Sequence, residues 1–229
     1  MRAATYNVRG FRDGAARVAA VVRDLRPDVL LLQETGPRRA LRRFADDVGM
    51  RVARDPWSPL RRRVKNAVLL GDPWRFVSVG LVRFPNAKRW YPRGALVTKV
   101  TSGDHAVWAL SVHLGLDGAE RGRQAESLVR LLEPLDAPVV VGGDLNATPD
   151  MRSTAGLSTA LRDAWTVRGR GEGPTFPAFA PVARIDYVFV GGAGEVVSVA
   201  VGGDGASEAS DHLPVTATLQ LPGEATEPD

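Results

Sequence analysis

Asp144 and Asn146 stand two positions apart in VVVGGDLNATPD (139–150), where an apolar run gives way to a turn rich in Pro and Asp. Side chains alternate along a strand, so the carboxylate and the carboxamide can point the same way as the strand runs out. The paired glycines ahead of them let other backbone or a ligand approach closely. A turn in which the acid satisfies its own backbone would account for the same residues. The pattern recurs, however. TYN closes on Asn7, VLLLQE on Glu34 and WALSVH on His113; RIDYVF carries Asp186, and SDH puts Asp211 and His212 ahead of an apolar run. Singly, each has a plain structural account: Glu34 as a helix-start carboxylate, His113 as a satisfied strand histidine, Asp186 as an edge charge. Together, acids, amides and two of the three histidines gather where strands emerge, the place where α/β proteins often build sites. Such a set can hold a hard cation on oxygen and move a proton through imidazole.

The chain has no cysteine, which excludes disulfides and thiolate metal sites. Any metal must use Asp, Glu, Asn, His, backbone or water, a ligand set that suits Mg²⁺ or Mn²⁺.

The elements that must position these groups alternate in character. Residues 3–8 and 28–34 read as strands, 15–25 and 38–48 as helices, with Asp13 a cap for the first helix and Pro27 its close. NAVLLG, RFVSVGLVRF, GALVTKV and HAVWALSVHL are short β-rich runs between turn residues and read as antiparallel strands. Residues 119–135 read as an amphipathic helix, 137–144 as a buried strand, 157–165 as a short helix and 168–176 as a loop. Strands follow at 184–190, 195–201 and 213–221. This order predicts α/β layers, two sheets face to face with helices outside.

Nine segments, in order, carry a family resemblance: TYNVRG, PDVLLLQET, RGALV, SVHLGL, ERGRQ, VVGGDLNATPD, PTF, RIDYVFV and SDHLPV. With them the chain resembles the endonuclease/exonuclease/phosphatase superfamily, the DNase I-like metal-dependent phosphohydrolases, over almost its whole length. The resemblance implies a four-layer α/β sandwich with two mixed, mostly antiparallel sheets. It implies one domain over 1–221; the residues after it, PGEATEPD (222–229), read by themselves as a flexible acidic tail. The resemblance also implies roles. Glu34 and Asn7 would lie at a Mg²⁺ or Mn²⁺ ion, with Asp211 toward it. His212 would be the general base, oriented by Asp186. Asp144 and Asn146 would orient the water and a phosphate oxygen, and His113 would donate to a phosphoryl oxygen or the leaving group. Arg93 would neutralise a phosphate, and Thr175 and Phe176 would line the substrate cleft; a surface arginine and a core phenylalanine are the plain alternatives.

Charge is uneven. Residues 1–100 carry 22 Lys and Arg against 8 Asp and Glu, a balance of +14; residues 101–229 carry 8 against 18, or −10. A basic half can attract a polyanion, or it can be a solvated arginine-rich surface; LRRRVKN (60–66) is its densest run. Abasic-site endonucleases of the superfamily usually carry Lys after QET and a Tyr-containing segment where this chain has SVHLGL. Gly36 and His113 depart from that pattern, and the His-type segment is shared with DNase I-like nucleases, sphingomyelinase-like enzymes and phosphoinositide phosphatases. The expectation is therefore a Mg²⁺-dependent phosphodiesterase or phosphatase with nucleic acid the favoured substrate. A phospholipid headgroup or small phosphate ester is the second reading, and a non-catalytic nucleic-acid-binding module the third. No apolar stretch is long enough to span a membrane and no leader-like signal precedes the first strand, so a cytoplasmic location without a membrane anchor is expected.

Overall fold

The computed structural model describes residues 1–56, 62–85, 91–192 and 194–223. The chain alternates strands and helices: β1 (Arg2–Asn7), α1 (Ala15–Leu25), β2 (Val29–Gln33), α2 (Arg38–Asp47), β3 (Arg51–Arg54), β4 (Ala67–Leu70), β5 (Arg75–Arg83), β6 (Gly94–Ser102) and β7 (His105–His113). It continues with α3 (Gly118–Leu132), β8 (Val139–Asp144), α4 (Arg152–Ala160), β9 (Arg162–Asp163), α5 (Ala164–Arg168), β10 (Asp186–Gly191), β11 (Glu195–Val201), α6 (Ala206–Ala209) and β12 (Val215–Gln220).

These strands make two six-stranded sheets, ordered β11-β12-β1-β2-β4-β3 and β5-β6-β7-β8-β10-β9. Among the described residues, only β1–β2 and β7–β8 are parallel; each pair is joined through a helix, as a parallel connection requires. The first sheet therefore closes around β1, which pairs with β2 on one side and with β12 on the other.

Burial assigns the layers. Val29, Leu31, Val68, Val107, Val140, Val188 and Ala217 fill the space between the sheets. Leu30, Leu32 and Leu69 turn the other way, onto Val18, Val22, Leu41 and Phe44 of α1 and α2. On the outer face of the second sheet, Leu110, Val141 and Phe189 meet Leu128 of α3 and Leu157 of α4. The result is the expected four-layer sandwich. Strands buried on both faces read as continuous apolar runs, and VLLL and VVV are such runs.

The paired glycines of VVVGGD serve this packing. A Cβ on Gly142 would lie 2.6 Å from Leu31 Cδ1 of the opposite sheet, and one on Gly143 would lie 2.1 Å from the Val112 carbonyl oxygen. The close approach is by neighbouring chain.

Several expectations shift. The helix placed at 157–165 is α4 ending at Ala160, a two-residue strand, then α5. Asp163 caps the second of these through its carboxylate, which accepts from Trp165 N–H. Asp13 does not cap α1; it accepts from the Arg9 guanidinium, and Gly14 stands at the helix start. Leu60 and Arg61 of the basic run, and residues 224–229 of the acidic tail, lie outside the described residues. Among those described, no helix is long and apolar enough to cross a membrane.

Candidate active site

The site forms where the apolar layer between the sheets turns polar at one end. Alternation along each strand carries an inward-facing row to its last member. Ala3 and Thr5 lead to Asn7, and Val29 and Leu31 to Gln33. Val107, Ala109 and Ser111 lead to His113, Val140 and Gly142 to Asp144, and, running the other way, Val190 and Val188 to Asp186. Strand register puts Gly94, His113, Asp144 and Asp186 side by side across β6, β7, β8 and β10. Asn7 and Gln33 are neighbours across β1 and β2. Local sequence spacing alone cannot deliver that row; it needs the pairing.

Beneath it lies a polar layer that the sequence motifs do not flag. Gln33 Nε2 donates to Ser111 Oγ (3.1 Å), Ser111 Oγ donates to the Leu32 carbonyl (2.7 Å), and Asn66 Nδ2 donates to the carbonyls of Ser111 (2.8 Å) and Gly94 (3.0 Å). These groups tie one sheet to the other under the site. A sequence signal for them exists: Gln33 sits at an inward position of an otherwise apolar strand.

Asp186 and His212 form the central pair. His212 Nδ1 lies 2.8 Å from Asp186 Oδ2, and the Thr175 hydroxyl donates to the same oxygen at 2.7 Å. Thr175 Oγ1 in turn accepts from the backbone N–H of Ile185 and Asp186. Thr175 is fully buried, so it does not line a substrate cleft as expected from its position before the strand; it holds the carboxylate. Phe176, half-buried, lies with its ring 4.8 Å from the His212 ring and fixes its other side.

Asp144 is the hub. Its Oδ2 accepts from Asn7 Nδ2 at 2.9 Å and lies 3.3 Å from His113 Nε2 and 3.8 Å from His212 Nε2. Its Oδ1 accepts from Asn146 N–H at 2.9 Å, so the self-satisfied turn read as the plain alternative is present within the constellation. Asn146 Nδ2 donates to the Leu114 carbonyl (3.0 Å) and lies 3.2 Å from His113 Nε2. Arg93 is no surface arginine. It is partly buried, with Nη1 2.8 Å from His113 Nδ1.

On the first sheet, Glu34 follows Gln33 as β2 ends, with φ of 52°; Asn146 has φ of 49°. Non-glycine residues held in the left-handed region cost energy and cluster at sites. The Glu34 carboxylate accepts no hydrogen bond and makes no ion pair among the described residues, while its backbone carbonyl accepts from Gly10 N–H at 2.7 Å. Asn7 Oδ1 accepts from Arg9 N–H at 3.0 Å, and Arg9 Nε reaches Asp211 Oδ2 at 3.2 Å. Arg9, part of the TYNVRG segment but given no role there, thus bridges Asn7 and Asp211. Ser210 Oγ ties the same corner down through the Asn7 carbonyl (2.7 Å).

Charge crowding shifts the titrations. For Asp186, burial is the largest influence and raises the pKa, with His212 opposing it. For Asp144, burial again raises, but the neighbouring histidines and the Asn7 amide outweigh it and hold the carboxyl well below the usual range. His212 loses affinity for its proton through burial and regains more from Asp186, Asp144 and Asp211, so its pKa rises to about 9.

The oxygen-rich set fits a hard cation. Glu34 offers an unengaged carboxylate, and Asp186 Oδ1 is buried without a partner. Ligand atoms of Asp144, Asp186 and His212 lie within 4.8 Å of one another, close enough to share an ion.

A family profile described as Endonuclease/Exonuclease/phosphatase family matches residues 4–212. The chain belongs to that family. Among curated proteins, the Uncharacterized protein YbhP of Escherichia coli K12 is 32% identical over 123 residues, 51% of this chain and 47% of that protein. The match thus spans about half the length of that relative. Among solved structures, D. rerio TDP2 complexed with a single-strand DNA product matches with a TM-score of 0.80 at 19% identity, over 96% of this chain and 99% of that one. A Bacteroides thetaiotaomicron mannosyl-6-phosphatase matches at 0.77 and 19%, over 96% and 100%. These folds agree with the two-sheet architecture above.

Proposed function

We propose that the protein is a Mg²⁺- or Mn²⁺-dependent phosphodiesterase acting on nucleic acid, folded as one domain over 1–221. The observation that carries the chemistry is the buried Thr175–Asp186–His212 chain ending beside Asp144. A carboxylate on Nδ1 leaves Nε2, 3.8 Å from Asp144, to take a proton from water in the neutral ring, a form that a bound cation nearby would favour by opposing the carboxylates that otherwise hold the ring protonated. Asp186 stabilises the imidazolium that results, and Thr175 keeps that carboxylate from rotating. Asp144 and Asn146 orient the water and a phosphate oxygen. Arg93 and His113, in contact at the far end of the row, would balance phosphoryl charge and donate to the leaving oxygen.

Glu34, with Asn7 and Asp211, would hold the cation, which supplies positive charge to the phosphoryl oxygens. Glu34 is the strong ligand because its carboxylate is otherwise unengaged. For Asn7 and Asp211 to join it, the Arg9 ion pair with Asp211 has to be shared or released. EDTA should abolish hydrolysis, Mg²⁺ or Mn²⁺ should restore it, and Glu34→Gln should raise the cation concentration needed at least about tenfold. Full turnover in chelator would overturn the metal role.

Nucleic acid is favoured by the arginine-rich first hundred residues and by the DNA complex of the TDP2 neighbour. The mannosyl-6-phosphatase neighbour favours a second reading, a small phosphate ester. A cytoplasmic location is part of the first reading. An intact acid, amide and histidine set argues against a module that only binds.

A further inference from the structure

Beside the cleft lies a cavity of about 560 Å³ that the proposed catalysis leaves unused. Its rim follows the site residues along the chain. Pro174 precedes Thr175, Thr148 is two residues past Asn146, and Arg184 is two residues before Asp186. The Tyr187 hydroxyl fastens the two rims by donating toward the carbonyls of Ala147 (2.8 Å) and Arg184 (2.9 Å).

The walls are built. Trp165 is locked in place: its indole N–H donates to the Gly171 carbonyl at 3.0 Å, and a Cβ on Gly173 would lie 2.2 Å from the ring. Arg184 is only 9% exposed; Nη1 is held by Asp163 Oδ2 at 2.6 Å, its guanidinium lies 4.6 Å from the Tyr187 ring, and its buried Nε has no partner. Arg184 is the one cation among the described lining residues, and Asp163 cancels it. Asp150 and Glu172, both exposed on the rim, leave the cavity with net negative charge.

A second phosphate would be repelled here. A neutral ring bearing hydroxyls would not: carboxylates accept strongly from hydroxyls, and a fixed indole covers an apolar ring face. We propose that this cavity receives the sugar ring attached to the scissile phosphate. This rests on the phosphoesterase reading and sharpens it. The sugar is the last unit on that side, so the substrate is a chain terminus or a free sugar phosphate, and a continuous strand does not thread through.

The test compares wild type with the double variant Asp150→Lys, Glu172→Lys, both exposed positions, in Mg²⁺. The probes are bis(4-nitrophenyl) phosphate, which has no sugar, thymidine 5′-(4-nitrophenyl phosphate) and mannose 6-phosphate. The variant should lose about 10- to 100-fold in kcat/KM on the sugar-bearing probe that wild type prefers, the worth of charge-assisted hydrogen bonds. Turnover of the sugarless ester should stay within about twofold. Which sugar-bearing probe responds separates a nucleotide from a hexose source. An equal effect on all probes, no effect on any, or no wild-type preference for a sugar overturns the subsite. Failure of wild type to hydrolyse any of the three would instead overturn the phosphoesterase reading.

Discussion

His212 draws its character from three carboxylates at once. In protein freed of metal by chelator, its pKa stands near 9 against an ordinary 6.5. The folded state therefore binds the proton more tightly than the unfolded chain. The stability this contributes is fully present below about pH 6.5 and is lost as pH rises through about 9. Asp186→Asn removes the nearest negative partner, so the His212 titration should move to lower pH, and NMR of the ring in EDTA would read it directly. An unmoved midpoint would mean that Asp186 does not govern the ring. In the loaded enzyme, His212→Ala should slow hydrolysis roughly 10²- to 10⁴-fold, the usual share of general base catalysis. Near-wild-type turnover by that variant would refute the assignment of the base while leaving the fold untouched.

Among the elements, β8 shows what motif spacing can and cannot reveal. Asp144 and Asn146 are legible as a pair from their spacing, but a local turn rather than strand alternation joins them: Asn146 stands past the strand's end in the left-handed region and donates its N–H to Asp144. Their neighbours His113 and Asp186 are legible as strand-end residues, but their place in one cross-strand row depends on register that no short segment contains. Thr175 escapes the sequence for the same reason: a hydroxyl next to a strand looks like lining until long-range packing buries it. The bounds of α1 are legible although its first turn has no side-chain cap; boundaries fail at 157–165, where α4 ends at Ala160 and a two-residue strand precedes α5. Gly143 is a direct test of the element-scale account. Its Cβ position overlaps the Val112 carbonyl of the parallel partner strand, which belongs to backbone and cannot swing away. Gly143→Ala should therefore cost about 1–3 kcal/mol of unfolding free energy, the typical cost of overpacking. Urea denaturation at an unchanged m-value would measure it, and a neutral result would show that β7 and β8 can separate freely.

For the whole molecule, the charge asymmetry needs a finer accounting than the sequence allows. Many of the early arginines are already engaged: Arg63 with buried Asp55 and the Gly36 carbonyl, Arg51 with Asp72, Arg23 with Asp47, Arg9 with Asp13 and Asp211. Arg39, Arg42 and Arg43 on α2 make no hydrogen bond or ion pair among the described residues, and their helix begins just past Glu34. If the substrate is nucleic acid, reversing these three charges should weaken duplex or single-strand binding to all sequences alike. It should also flatten the salt dependence, by about 0.9 in log–log slope for each duplex phosphate no longer neutralised. Binding that is indifferent to both salt and reversal would move the substrate to a small ester. The same global view gives the closure of the first sheet around β1 a temporal meaning. Asn7 and Glu34 leave the ribosome well before β12 is made, so β1 lacks one flank until then, and His212 arrives just ahead of that last strand. A nascent chain thus holds its acidic groups and the candidate base on segments that cannot meet until β12 has been made and has paired with β1.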